Sequence, residues 1–407
     1  MNQLKLPAVF MRGGTSKAVM FRAADLPADR ESWAPIFLGV IGSPDPNGRQ
    51  LDGMGGGISS LSKICVIGPP TRTGADVDYT FAQVSVRDAM VDYSGNCGNM
   101  SSAVGPFAVD EGLVAVTDAA SEAAVRIHNT NTRKLIVAHF PLDARRAAVD
   151  GDFRLPGVAG TGAPVRLDFM EPGGAGTGKL LPTGNPVDTL DADGWSKIEV
   201  SMVDAANPCV FVAAEALGAS GVEMPEELEA NGALLQRLEA IRTAASVKMG
   251  IAMTPEAAAR IPSIPKIAMV ASARSALTLA GETLAADDAD VTVRMISIGQ
   301  PHRAVPLTGA MCLAVASRIE GTVVSRMVRR SPSPRDPVRI AQPSGVTVVG
   351  AEVGRVGARG HEWFAERATV YRTARRLMEG WVLVRAAALP ERVRNALAAG
   401  QRSGYPS

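Results

Sequence analysis

The chain has 407 residues, of which 42 are basic and 41 acidic, leaving a net charge of +1. This balance gives no overall bias toward nucleic acid or a membrane surface, and no run of about 18 apolar residues is present to span a bilayer. With 46% hydrophobic and 20% charged residues the composition is typical of a globular protein. The length exceeds what one hydrophobic core usually supports, so we expect two domains.

The cysteines and histidines do not form a recognisable metal or disulfide pattern. Cys65, Cys97, Cys209 and Cys312 are too sparse for a disulfide framework, and no pair has the spacing of metal ligands. The four histidines are scattered, with no HExxH motif. The segment MNQLKLPAVF lacks the apolar core of a signal peptide. We therefore expect a cytoplasmic protein with reduced thiols and no metal.

The first part of the chain is predicted to be rich in β-structure. AVFMRGGTSKAVMF (8–21) has two apolar runs around a glycine turn and predicts a hairpin. A helical stretch over 29–38 is followed by a loop over 42–62, dense in Gly, Pro, Asp and Ser, which leads into a strand beginning at Lys63. The remaining predicted elements are a strand over 80–86, a helix over 101–112 and paired strands over 125–131 and 134–140.

The segment SGNCGNMSSAVG (94–105) places a thiol in a glycine-containing turn that opens into a helix. Free N–H groups at a helix start, together with the helix dipole, form an anion site. The same field favours the reactive thiolate of a nearby cysteine. Free cysteines are more often small buried hydrophobic residues. The local sequence favours neither the reactive nor the buried interpretation of Cys97.

The segment EPGGAGTGKLLPTGNPVDTL (171–190) is interpreted as a flexible connector between halves. Its GAGTGK resembles a phosphate-binding loop, but Leu180 follows Lys179 where that motif requires Ser or Thr, and the glycine spacing also differs. We therefore expect no nucleotide site there. The predicted domains are residues 1–184 and 185–407.

The second half repeats the plan of the first. A strand pair is predicted around the turn 206–208, then a helical insertion over 225–249, and strands over 265–272 and 290–299. A turn then leads into an apolar helix over 306–316, the counterpart of the Cys97 segment. This pattern indicates an internal duplication, with the two helix starts expected to face each other across a cleft. In the tail, Arg372, Arg375 and Arg376 are able to bind carboxylates bidentately, but we favour interdomain ion pairs for them.

Several motifs in a fixed order carry a family resemblance: MRGGTSK (11–17), GSPDPNGRQLDGMGGGISSLSK (42–63), SGNCGNMSSAVG (94–105), LPTGN (181–185), KMG (248–250), QPSG (342–345) and RTARRLMEG (372–380). Together they resemble the 2-methylaconitate cis-trans isomerase (PrpF-like) family, within the diaminopimelate epimerase-like superfamily. The resemblance covers nearly the whole chain. It implies an α+β fold of two pseudo-symmetric domains, each a curved β-sheet around a central helix, and a homodimer.

The resemblance also implies cofactor-independent proton transfer on unsaturated di- or tricarboxylates. Carried over by position, Lys63 is the catalytic lysine and Cys97 an active-site cysteine. The amino-acid epimerases of the superfamily have a second catalytic cysteine where this chain has Thr308, which argues against a racemase or epimerase. Gln342 stands where we would expect a histidine.

We expect Lys63 and Cys97 to move an allylic proton while backbone N–H groups stabilise the charge of the anion. Return of the proton to the same carbon gives cis-trans isomerisation, and its return to the far carbon moves the double bond. The predicted substrate-binding residues are Thr15, Ser16, Ser60, Ser62, Asn96, Gly98, Asn99, Met100, Thr308, Gly309 and Ala310.

The preferred function is 2-methylaconitate cis-trans isomerisation in propionate breakdown through 2-methylcitrate. One alternative is a double-bond shift on 4-oxalomesaconate or methylitaconate. A second, of a different class, is a carboxylate-binding protein that has lost the chemistry. The presence of both Lys63 and Cys97 argues against the second alternative.

Overall fold

A computed structural model describes residues 2–93, 95–191, 197–297, 299–329, 333, 336–356 and 362–402. The chain forms two compact units, unit 1 from the residues up to 167 together with those from 372 onward, and unit 2 from residues 168–371. Ser94, in the predicted turn before Cys97, lies outside the described residues. No helix in the described ranges is both long enough and apolar enough to cross a membrane.

Strands outnumber helices in both units, and the chain passes through unit 2 once before it returns to unit 1. The first stretch holds β1 (Gln3–Gly13), β2 (Ser16–Arg22), α1 (Trp33–Ile41), β3 (Lys63–Gly68), β4 (Val77–Val84), β5 (Val91–Asp92), α2 (Gly98–Asp110), β6 (Glu122–Asn129), β7 (Lys134–Asp143), β8 (Arg146–Ala147) and β9 (Val165–Met170), within which the division between units falls. Unit 2 continues with β10 (Asp188–Leu190), β11 (Ile198–Ala205), β12 (Asn207–Ala213), α3 (Pro225–Ala230), α4 (Gly232–Lys248), α5 (Pro255–Ala259), β13 (Lys266–Ser272), β14 (Ala276–Leu277), β15 (Thr283–Leu284), β16 (Val291–Ser297), β17 (Gln300–Pro301), α6 (Leu307–Arg318), α7 (Val323–Met327), β18 (Val338–Gln342), β19 (Gly345–Val356) and β20 (Glu362–Arg372). Unit 1 is then completed by β21 (Ala374–Arg385) and α8 (Glu391–Arg402).

Unit 1 is a sheet built around α2. The strands pair in the succession β1–β2 antiparallel, β2–β3 parallel, β3–β4 antiparallel, β4–β6 parallel and β6–β7 antiparallel. The predicted hairpin is confirmed as β1 and β2. Helix α2 packs against β1, β2, β3, β6, β7 and β21, and it is buried from Met100 to Val109. A helix that is apolar all round can be stable only in such a surrounding.

Unit 2 has the same plan. Its strands pair β11–β12 antiparallel, β12–β13 parallel, β13–β16 antiparallel, β16–β18 parallel and β18–β19 antiparallel. Helix α6 is buried and packs against β11, β12 and β19. Each unit therefore repeats one succession of strands with a central helix before the fifth strand, which is what an internal duplication produces. The α+β fold implied by the resemblance is the observed one.

The unit boundaries differ from the sequence-based boundary at 184/185. Strand β21, near the C-terminal end, pairs with β1 in unit 1, from Gln3 opposite Arg385 to Gly13 opposite Ala374. Local periodicity contains no information about this pairing of strands far apart in sequence. The predicted insertion is observed as α3 and α4, which pack in the core of unit 2 with Leu228, Leu238 and Ile241.

The segment 171–190 is not a flexible connector, because part of it is folded onto Asp204 in unit 2. The Asp204 Oδ2 accepts from the backbone N–H of Gly176 at 2.8 Å, the N–H of Thr177 at 2.6 Å and the Thr177 hydroxyl at 2.8 Å. Burial nonetheless raises the pKa of Asp204, against the opposing effect of these hydrogen bonds. The glycine-rich loop thus holds a carboxylate of its own chain.

Candidate active site

Lys63 is the first residue of β3, and only 7% of its surface is exposed. The burial of an amine is costly unless polar or aromatic groups replace its water. Its Nζ donates to Gln83 Oε1 at 2.5 Å and lies 5.0 Å from the centroid of the Phe81 ring. Both partners are on β4, where Gln83 stands directly opposite Lys63.

Gln83 links the Lys63 amine by hydrogen bonds to the backbone that precedes β3. Its Nε2 donates to the carbonyl oxygens of Ser62 at 2.9 Å and Ser59 at 3.0 Å, while its Oε1 faces Lys63. The amide can therefore adopt only one orientation, since turning it over would bring Nε2 toward the ammonium group. Gln83 fixes the position of the amine at the start of the strand.

Cys65 connects Lys63 with Cys97. It lies two residues after Lys63, so both side chains project from the same face of β3. Its buried thiol donates to the Tyr79 hydroxyl at 3.8 Å. Burial raises the pKa of the Cys65 thiol; nearby Cys97 raises it further, and the charge of Lys63 lowers it. The charges of Lys63 and Cys97 therefore have opposite effects on the pKa of Cys65.

Cys97 immediately precedes α2 and is partly exposed. Its backbone is extended, and its carbonyl oxygen accepts the first bond of the helix from the Ser101 N–H at 3.0 Å. The N–H groups of Gly98, Asn99 and Met100 therefore have no intrahelical acceptor. They form the positive end of the helix next to the thiol, which is the geometry expected from the sequence.

The hairpin between β1 and β2 packs onto this helix start. A Cβ at Gly13 would lie 2.8 Å from the Asn99 carbonyl oxygen, and Gly14, with φ of 52°, is against the Asn99 side chain. Asn99 Nδ2 donates to the Thr15 hydroxyl at 3.0 Å, and Asn99 Oδ1 accepts from Arg372 Nε at 3.1 Å. Glycines are required at this turn because a helix backbone occupies the space of their side chains.

The remaining predicted residues of unit 1 fall into two groups. Asn96 lies with Cys97 and accepts from Asn129 Nδ2 at 3.2 Å. Ser62 is buried, and its hydroxyl donates to Gln50 Oε1 at 2.6 Å within the loop before β3. Ser60 lies in a short turn of the same loop, and Ser16 is buried at the start of β2. Ser62 is therefore a loop-stabilising residue rather than a donor beside Lys63.

In unit 2 the predicted residues lie in the first turn of α6. Thr308 is the second helical residue, and Gly309 is packed against Met295. The N–H of Ala310 donates to the Pro306 carbonyl at 2.9 Å, so it is not one of the free N–H groups of the helix start. Gln342, where a histidine was expected, accepts from the Val305 N–H at 3.2 Å and so supports the segment entering α6.

The tail arginines have separate roles. Arg376 makes ion pairs with Glu111 at 2.8 Å and Glu379 at 2.7 Å, and all three residues belong to unit 1, so these pairs are not the interdomain ones expected. Arg375 is exposed, whereas burial lowers the pKa of Arg372 to about 10. Among the described residues no group of three or more His, Cys, Asp or Glu side chains is placed to hold a metal ion.

Sequence reasoning missed Gln83, Cys65, Tyr79 and Asn129 as parts of this cluster, and it named Arg372 without its contact with Asn99. The first two could have been found from strand alternation, because residues two apart share a face and Gln83 lies in the next predicted strand. The others depend on the register of strands far apart in sequence. The arrangement that results is a buried amine and a partly exposed thiol beside free backbone N–H groups, which can transfer protons next to a bound anion.

Comparison with known proteins identifies the family of the chain. The PrpF protein family matches residues 3–385. The chain is 44% identical to "3-methylitaconate isomerase" of Eubacterium barkeri, over 95% of this chain and 99% of that one. It is 40% identical to "2-methyl-aconitate isomerase" of Cupriavidus necator, over 94% and 98%. A crystal structure of methylitaconate-delta-isomerase superposes with a TM-score of 0.87 at 43% identity, covering 96% and 98%. The chain belongs to the PrpF family and is an isomerase.

Proposed function

We propose that the chain isomerises unsaturated di- or tricarboxylates by allylic proton transfer, with Lys63 and Cys97 as its catalytic residues. The observation that carries the proposal is a buried, oriented amine at the start of β3 together with, in the same unit, a partly exposed thiol directly before the free N–H groups of α2. The reaction requires a base, an acid and a stabilised anion, and this cluster offers a group for each.

In the proposed reaction, Lys63 as a neutral amine takes a proton from the allylic carbon. The electron pair of the broken C–H bond spreads over the C=C bond into the adjacent carboxylate. In this mechanism the free N–H groups of Gly98, Asn99 and Met100 stabilise the growing negative charge. Gln83 keeps the Lys63 amine in one position. The group that accepts the proton therefore does not have to be ordered for each turnover.

Two outcomes follow from where the proton returns. If Lys63 gives it back to the same carbon, the former double bond has rotated and the product is the cis-trans isomer. If the Cys97 thiol gives a proton to the far carbon, the double bond has moved. Lys63 then releases the proton it took to water, and the Cys97 thiolate takes one from water, which restores both groups. Both routes balance in protons and electrons, and neither requires a cofactor.

The first candidate substrate is 2-methylaconitate, for which the Cupriavidus necator relative is named. In that role the chain would act in propionate breakdown through 2-methylcitrate, as a cytoplasmic homodimer. The second candidate is a double-bond shift on methylitaconate, which is favoured by the higher identity to the Eubacterium barkeri relative. 4-Oxalomesaconate is the third compound to be tested.

The test is turnover of the three compounds in deuterated water, followed by proton NMR. The site of deuterium and the new vinyl or methylene signals report where the proton left and returned. Lys63→Met should lower kcat by about 100-fold or more, since general acid–base groups contribute roughly two to four orders of magnitude. Lys5→Met, an exposed lysine of β1, is the matched control and should keep full turnover.

Two results would contradict the proposal. One is a folded wild-type chain that turns over none of the three compounds. The other is a Lys63→Met variant with the kcat of the wild type. Turnover of methylitaconate but not 2-methylaconitate would replace the first candidate by the second and retain the residues.

A further inference from the structure

Strand β4 of unit 1 changes its neighbour along the edge that faces away from β3. At its start it pairs with β6 as far as Tyr79, and at its end it pairs with β5 from Gln83. Between these two pairings β6 has already turned away. The side chain of Asn131, in the turn that follows β6, lies there against the backbone of Phe81. A side-chain amide thus continues the sheet where a strand has ended.

The Asn131 amide reproduces the hydrogen bonds of a paired strand. Its Oδ1 accepts from the Phe81 N–H at 2.8 Å, and its Nδ2 donates to the Phe81 carbonyl at 2.8 Å. The same Nδ2 donates to the Tyr93 carbonyl at 2.7 Å. Both donor hydrogens are therefore used, and only one orientation of the amide satisfies all three bonds. Asn131 joins β4 to the segment that leads from β5 to Cys97.

A second asparagine of the same turn contacts this segment closer to Cys97. Asn129 is fully buried, and its Nδ2 donates to Asn96 Oδ1 at 3.2 Å. Its Oδ1 accepts from the N–H and from the hydroxyl of Thr132, both at 2.8 Å, which fixes the orientation of this amide as well. The asparagine turn, residues 129–132, therefore holds the segment before the thiol at two points.

The Lys63 amine is held independently of the asparagine turn. Strand β3 pairs with β4 along its whole length, with Lys63 opposite Gln83. Gln83 and the ring of Phe81 contact the amine from this strand. Loss of the Asn131 side chain should therefore leave Lys63 with its partners, while it releases the segment that carries Cys97.

We propose that Asn131 is a positioning residue that fixes Cys97 relative to β4 and so sets the share of proton return that goes through the thiol. This inference rests on the proposed function for the reaction. Lys63 alone can take a proton and return it to the same carbon. The double-bond shift also needs Cys97 to give its proton to the far carbon, after which the thiolate takes a proton from water and Lys63 releases one to water. A displaced thiol should slow the second route much more than the first.

The test compares two rates in deuterated water with the candidate substrates. Proton NMR gives the rate of deuterium entry at the far carbon and at the original carbon. Asn131→Ala should lower the far-carbon rate about 10- to 100-fold, because a small displacement of a reacting group has an effect of this size. The original-carbon rate and KM should stay within about threefold of wild type. Asn131→Asp keeps the size of the side chain but cannot donate to Tyr93, so it should behave in the same way.

Asn231→Ala is the matched control. In unit 2, Asn231 Oδ1 accepts from the Leu234 N–H at 3.1 Å and caps the start of α4. Loss of this cap lowers stability, as loss of Asn131 does, but it touches neither Cys97 nor β4. Both deuterium rates should stay within about twofold of wild type. An equal fall of the far-carbon rate in the control would reduce the effect of Asn131 to stability alone.

Two further measurements need no turnover. In the unmodified chain the side-chain NH2 of Asn131 should exchange with deuterated water at least about tenfold more slowly than that of the exposed Asn2, because both of its hydrogens are bonded. In Asn131→Ala the backbone N–H signals of Gly98 and Asn99 should shift, and in Asn231→Ala they should not. The first of these measurements does not depend on the folding of any variant.

The inference is overturned if the Asn131 amide exchanges as fast as that of Asn2, or if the Gly98 and Asn99 signals stay in place in Asn131→Ala. It is also overturned if the two deuterium rates fall together in Asn131→Ala, or if the wild type takes up deuterium only at the original carbon. Shifted signals in a folded chain that turns over none of the candidate substrates would retain the positioning of Cys97 and contradict the proposed function.

Discussion

The starts of α2 and α6 follow the same succession of strands but carry different side chains. In unit 1 a thiol, Cys97, stands directly before the helix, and an amine is held by Gln83. In unit 2 Pro306 precedes the helix, and the thiol of Cys312 is inside it, donating to the Val203 carbonyl at 3.3 Å. The succession of strands is the same in both units, while a partly exposed thiol stands directly before the central helix in unit 1 and a proline stands there in unit 2.

The two units also differ at the start of the third strand of each. Unit 1 has an oriented amine, Lys63, and a partly exposed thiol, which suit proton transfer. In unit 2 Lys266 is the first residue of β13, and burial together with the charge of Lys266 lowers the pKa of His302 to about 4. Four changes test these differences, and they are described in decreasing order of expected effect.

The largest effect is expected from the thiols. Cys97→Ala should lower kcat/KM for the true substrate by about a thousandfold, because it removes a proton-transfer group. Cys312→Ala should leave kcat/KM within about threefold and cost about 1–2 kcal/mol of unfolding free energy, since it only removes a buried sulfur. Steady-state kinetics and urea unfolding measure the two quantities. Equal losses of activity in both variants would show that the units do not differ in this way.

The second change tests the packing of the hairpin on α2. Gly14→Ala should lower the free energy of unfolding by about 3 kcal/mol, because a positive φ and a clash with Asn99 act together. Gly112→Ala is the matched control: its φ is 69°, and the space around it is open, so we expect only about 1–2 kcal/mol. Chemical denaturation measures both. If the control is as destabilised as Gly14→Ala, the contact with Asn99 contributes nothing.

The third change concerns His302 in unit 2. Its pKa of about 4 in the folded chain lies below the value of about 6.5 for an unfolded histidine. Between these values the unfolded chain binds more protons, so stability falls as the pH drops. From pH 7 to pH 5 this group should cost about 2 kcal/mol. His302→Gln should lose that part of the pH dependence, measured by urea unfolding at both pH values. An unchanged slope would mean that His302 titrates normally.

The smallest effect is expected from the residue that positions Lys63. Gln83→Leu should lower kcat about 10- to 30-fold and leave KM nearly unchanged, since the amine loses its orientation but keeps its place on β3. Gln3→Leu, an exposed glutamine on β1, is the control and should change neither. A rise in KM with unchanged kcat would instead assign Gln83 to substrate binding.

Much of the fold could be predicted because it is local. The hairpin around Gly13 and Gly14, the strand that starts at Lys63 and the apolar helix after Cys97 each have a turn signal and a periodic apolar run. The repetition of this order in the second half indicated the duplication. The family motifs then pointed to Lys63 and Cys97, whose local geometry agrees with their expected placement.

The parts that could not be predicted depend on pairings between distant residues. Asn129 meets Asn96 only because β6 pairs with β4, and Arg372 reaches Asn99 only through the return of the chain to unit 1. The partners of Ser62 also could not be predicted, because its hydroxyl bonds to Gln50 and to the Ile58 carbonyl within the folded loop before β3.

The return of β21 to unit 1 has a consequence for the order of folding during synthesis. Residues 3–8 of β1 pair with β21 rather than with β2. Unit 1 therefore remains incomplete until the ribosome has made residues 374–385, while unit 2, a continuous stretch of chain, can fold earlier. Until then the edge of β1 is open to other strands, which is a hazard for aggregation. Chains that stop before β21 should accumulate with unit 2 folded and with the β21-pairing edge of β1 in unit 1 left unpaired.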